Sequence, residues 1–121
     1  MGETTNPTYT APDGTYLDVQ PAPADAPLGT VVLDVSGKPI RLAPMAVVSV
    51  IDLLAAPEPG TTLLISLGED DDSPLLAFYV EEHGIDVHRT LDGRTTHQVT
   101  IPLARAYVTA CEISAIGTRC A

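Results

Sequence analysis

Residues 30–57 read TVVLDVSGKPIRLAPMAVVSVIDLLAAP, and how this stretch is divided decides the fold. Val31 to Val35 and Pro39 to Leu42 flank Ser36-Gly37, a two-residue turn whose glycine is free to take positive φ, so the first half predicts a β-hairpin. Pro39 opens the second strand, where a missing N–H is tolerated at a sheet edge. The second half lies between Pro44, suited to the first position of a helix, and Pro57, suited to the residues beyond its end. Its β-branched Val47, Val48, Val50 and Ile51 also fit a buried strand. The length between the two prolines favours a helix over 44–56, with Ser49 and Asp52 marking a narrow wet stripe.

Beyond this stretch, short segments alternate with turn signals: 61–67, 75–80, 85–91 and 94–103, separated by GEDDDSP, EEHG and DG. Regular turns between such runs predict a four-stranded antiparallel meander. Ile85, Val87 and Leu91 are expected on one face against Asp86, His88 and Thr90, and Val99, Ile101 and Leu103 against Thr100. The last segment, LARAYVTACEISAIG, places Ala104, Tyr107, Val108, Cys111 and Ala115 at helical spacing, with Gly117 as a stop. That stripe is expected to face the core, burying Cys111. Cys120, beside Arg119, is expected to be the more exposed thiol.

Residues 1–28 have a different texture. NPTYTAPDGTYLDVQPAPADAP, residues 6–27, carries five prolines, two tyrosines and no basic residue, which predicts extended backbone with little internal hydrogen bonding. The expected organisation is an arm over 1–28, a compact domain over 29–117 and a tail over 118–121. The fold class is α+β: a small single domain with a hairpin and a four-stranded meander, covered by two helices.

The chain of 121 residues is long enough for one core, built from aliphatic side chains because it has one Phe, four Tyr and no Trp. Its formal charge is −10, and residues 61–90 hold seven acidic side chains against one arginine. Six basic residues scattered along the chain make no phosphate-neutralising patch, so neither direct nucleic-acid binding nor an anionic membrane surface is expected. No run reaches membrane-spanning length, and the first residues lack the pattern of a classical secretion signal. A cytoplasmic or virion protein is expected, and two closely spaced cysteines are no disulfide framework.

Motifs for chemistry are weak. Glu69, Asp70, Asp71 and Asp72 cluster carboxylates of the kind calcium takes, but Leu75 stands where the calcium loop needs its glycine. His88 and His97 are expected on one wet face near Asp86, too few ligands for zinc. No nucleophile-elbow or cysteine-protease signature is present, so no catalytic residue, metal or cofactor is assigned.

Function is therefore expected to reside in protein contacts. A proline-restricted arm loses little entropy on binding, and Tyr9, Tyr16 and Leu17 would anchor it on a partner, on identical subunits or along a sheet edge. The expectation is a non-enzymatic assembly protein, a homo-oligomer or part of a larger complex, in its concrete form a phage capsid-decoration or connector subunit. The alternative is an acidic inhibitor or immunity-type protein that covers a basic site on a toxin, nuclease or DNA-binding protein through Asp70, Asp71 and Asp72.

Overall fold

A computed structural model describes residues 8–67 and 74–119. The elements run β1 (Tyr9–Thr10), β2 (Tyr16–Pro21), β3 (Val31–Val35), β4 (Lys38–Leu42), α1 (Pro44–Ala55), β5 (Thr62–Ser66), β6 (Leu75–Glu81), β7 (Gly84–Leu91), β8 (Arg94–Ile101) and α2 (Leu103–Arg119). The protein is an α+β domain with antiparallel sheets and two helices, and the stretch between Pro44 and Pro57 is indeed a helix, Pro44–Ala55.

The strands form two sheets, ordered β1-β2-β3-β4 and β5-β6-β7-β8. Each half of the chain is thus four antiparallel strands followed by a helix. The hairpin is half of a larger sheet because β2 pairs with β3 from Leu17↔Val35 to Pro21↔Val31, and β1 pairs with β2. The described part of the expected arm is extended, but it does not stand apart from the domain. Leu17 and Val19 alternate with Asp18 and Gln20, and the two apolar side chains are buried in the core. Packing therefore sets no boundary at residue 28.

The β3–β4 and β7–β8 hairpins use the mirror-image turn that matches strand twist, which requires positive φ at two successive residues. Ser36 and Gly37 sit at φ 50° and 101°, Asp92 and Gly93 at 55° and 75°. The Asp34 carboxylate accepts from Gly37 N–H at 2.9 Å, fixing the first turn. Gly84 is required for a different reason: a Cβ there would lie 2.6 Å from the Ile101 carbonyl oxygen.

One core joins the halves. Leu33, Val35 and Leu42 from the first sheet meet Leu76, Phe78, Val87 and Ile101 from the second, with Val50 and Leu54 of α1 and Ile113 of α2. The helices pack on each other, and α2 also touches β2, β3 and β7. Where β2 and β3 meet β8, Ser36 Oγ donates to the Gln98 carbonyl at 2.7 Å. No helix among the described residues is long and apolar enough to cross a membrane.

Candidate interaction surface

Helix α2 has two apolar stripes. Ala106, Thr109, Ala110, Ile113 and Ile116 are buried against the sheets and α1, with Thr109 Oγ1 donating to the Arg105 carbonyl so that its hydroxyl is satisfied inside. The stripe that the spacing singled out, Ala104, Tyr107, Val108, Cys111 and Ala115, is exposed throughout. Tyr107 is 63% exposed and Val108 47%. The helical period is as expected, but the face is reversed. Small residues at 106, 109 and 110 let the helix backbone approach the sheets, and the stripe that carries Tyr107 is left outside.

Helix α1 repeats the arrangement. It turns Val47, Val50, Leu53 and Leu54 inward and leaves Met45, 85% exposed, and Val48, 58% exposed, on the outside with Ser49 and Asp52. Between the helices runs an apolar groove of about 190 Å³, bounded by Pro44, Val48, Ile51, Ile113 and Gly117 among others. Asp52 and Glu112 are the acidic residues on this outer face of the described helices, in a chain of charge −10. Large apolar side chains left exposed on both helices make this outer face the candidate contact surface.

The expected anchors lie elsewhere. Tyr9 packs partly buried against the core, with the Arg105 guanidinium 5.9 Å from its ring centroid. Arg105 Nη2 also donates to the Thr8 carbonyl at 2.8 Å, while Thr8 Oγ1 accepts from Val19 N–H. Arg105 thereby ties β1 to α2, and its Nε is buried without a partner. Tyr16 is half-buried; that burial, then the carboxylates of Asp34 and Asp18, raise its hydroxyl above the ordinary tyrosine pKa. Leu17 is enclosed by its own core, which removes it from the set of side chains a partner can touch. Asp70, Asp71 and Asp72 lie outside the described residues.

The histidines are not brought together. His88 is opposite Gln98 and His97 opposite Arg89, so the two rings project from opposite faces of the second sheet, with a register irregularity between Arg89 and Thr90. His88 instead meets Tyr79 edge-on at 5.5 Å between ring centroids. Asp86 accepts from Thr100 Oγ1 at 2.7 Å and lies 3.3 Å from His83 Nε2. Among the described residues, no three His, Cys, Asp or Glu side chains group around a common metal position. An open depression of about 420 Å³ is lined by Thr15, Ser36, Thr95, Thr96, His97 and Gln98. Its hydroxyls are largely engaged internally: Thr15 with Asp13, Ser36 with Gln98 and Thr96 with Arg89.

Compared with known proteins, the chain matches no family model, no curated protein and no solved structure.

Proposed function

We propose that the protein is a non-enzymatic assembly subunit that attaches to a larger complex through the outer face of its helix pair. The observation that carries this reading is the exposed apolar stripe of α2, with Met45 and Val48 also exposed on α1. The partner it suits is a protein surface with an apolar centre and a basic rim, complementary to Asp52, Glu112 and the overall charge of −10. The expected strap over residues 1–28 gives way to this surface, because Tyr9–Thr10 and Tyr16–Pro21 are strands of the domain's own sheet.

The test uses a fluorescent amphipathic helical peptide with an apolar stripe flanked by lysines, titrated against the protein and against a Tyr107→Asp/Val108→Asp variant. The variant adds two negative charges, so purely electrostatic attraction would tighten binding and apolar docking would weaken it. Binding weakened at least tenfold, and retained by the unmodified protein at about 0.5 M salt, supports the proposal. Equal or tighter binding by the variant removes it and favours a charge-driven contact of the acidic-inhibitor kind.

A further inference from the structure

The chain contains two Asp-Gly steps, Asp13-Gly14 and Asp92-Gly93. Such a step is chemically reactive, because glycine has no side chain to shield its backbone nitrogen from the carboxyl group before it. Both steps lie in turns between strands, and all four residues are exposed. Exposure therefore does not separate them, but hydrogen bonding does.

At the first step both reacting groups are held. The Asp13 carboxylate accepts from the Thr15 hydroxyl at 2.6 Å and from Thr15 N–H at 3.0 Å. Gly14 N–H donates to the Ala11 carbonyl at 3.0 Å. The bonds from Thr15 also favour the ionised carboxylate and lower its pKa, and a carboxylate is a much poorer electrophile than the neutral acid. At the second step both groups are free. Among the described residues, neither the Asp92 carboxylate nor Gly93 N–H has a hydrogen-bond partner. The turn is held by the ladder before and after it, with Leu91↔Arg94 as the last pair.

We infer that Asp92-Gly93 is a site of spontaneous backbone isomerisation, whereas Asp13-Gly14 is protected by its turn. The Gly93 nitrogen bonds to the side-chain carboxyl carbon of Asp92, the bond from that carbon to its hydroxyl breaks, and the hydroxyl leaves with the amide proton as water. The product is a five-membered cyclic imide. Water then adds to one of the two imide carbonyls. Cleavage at the side-chain carbonyl restores aspartate, and cleavage at the main-chain carbonyl leaves isoaspartate, in which the backbone runs through the side chain. No electrons are transferred, the final mass is unchanged, and water is the only co-reactant. The isomer lengthens by one methylene a two-residue turn whose φ angles, 55° and 75°, match the strand twist. The core pairs Val87↔Val99 and Ile85↔Ile101 lie further along the hairpin, so the disturbance is confined to its tip. This inference is independent of the partner taken by the helix pair.

The experiment incubates the full chain at mildly acidic pH, native and in denaturant, and maps isoaspartate at each step by peptide fragmentation. In denaturant the two steps are expected to react at similar rates. In the native chain Asp13 is expected to slow by about tenfold or more, as breaking a hydrogen bond to a charged group requires, while Asp92 stays within a few fold of its unfolded rate. A Thr15→Val variant removes the hydroxyl, and is expected to speed the reaction at Asp13 and leave Asp92 unchanged. A native fold that suppresses Asp92 as strongly as Asp13 overturns the inference. So does an absence of isoaspartate at Asp92, or a Thr15→Val chain in which Asp13 reacts no faster than before.

Discussion

The two stripes of α2 are both apolar and both at helical spacing, yet one lies inside the domain and the other outside it. The inner stripe mixes Ala106, Thr109 and Ala110 with Ile113 and Ile116, while the outer holds Tyr107 and Val108. Hydrophobicity alone separates the two stripes poorly, because each mixes small residues with larger apolar ones. Close approach to two sheets and to α1 is met by Ala106, Thr109 and Ala110 at the start of the helix, where a tyrosine would not fit. The Tyr107 and Val108 side chains are left exposed, and the proposed docking surface rests on that contrast.

The largest effect expected from breaking the contrast is on the inner stripe. Ile113→Asp would bury an unpaired charge and should cost about 4 kcal/mol or more, abolishing a cooperative thermal transition measured by circular dichroism. Val108→Asp, on the outer stripe, should change stability by no more than about 0.5 kcal/mol. Equal damage from both would mean that the helix is rotated from the orientation described.

Arg105 lies at the border between the stripes and holds β1 down. Arg105→Ala should remove its bond to Thr8 and its contact with Tyr9, at a cost of about 1–3 kcal/mol. Faster amide exchange at Tyr9 and Thr10, with that of Ile113 changed only in proportion to the lost stability, would check this. Unchanged exchange at β1 would show that the Arg105 tether is unimportant.

The smallest effect concerns the turn between β1 and β2, far from either stripe. Asp13 accepts from the Thr15 hydroxyl at 2.6 Å and from Thr15 N–H at 3.0 Å, and these bonds lower its pKa. A depressed carboxylate pKa contributes order that is present above the unfolded value and is lost as pH falls through the folded one. Thr15 amide exchange, corrected for its intrinsic pH dependence, should therefore accelerate on acidification below about pH 4. The same measurement in Asp13→Asn should show no such acid-dependent step.

Much of this fold is legible in the sequence, and the failures have physical causes. Ser36-Gly37 and Asp92-Gly93 announce their hairpins because few residue pairs tolerate two positive φ angles. Pro44 and Pro57 bracket α1 for equally local reasons. β2 escaped because prolines on either side of it read as an arm, although Tyr-Leu-Asp-Val-Gln carries the alternation of a half-buried strand. The reversed face of α2 could not be read from periodicity, which reports that a stripe exists and leaves open what it touches. The exposed surface was legible in its residues, Tyr107, Val108 and Cys111, and illegible in its direction. The placement of His88 and His97 on opposite faces follows from a pairing register that no local signal states.

Cys111 offers the most direct measurement, because it lies in the outer stripe and is exposed. In a Cys120→Ser chain, maleimide labelling of the native protein is expected to be rapid and to leave the thermal transition unchanged. The labelled chain should also lose affinity for the amphipathic peptide, since the adduct occupies the docking face. A thiol that reacts only after denaturation would contradict the outward stripe, and a labelled chain that binds the peptide as before would contradict its role in docking.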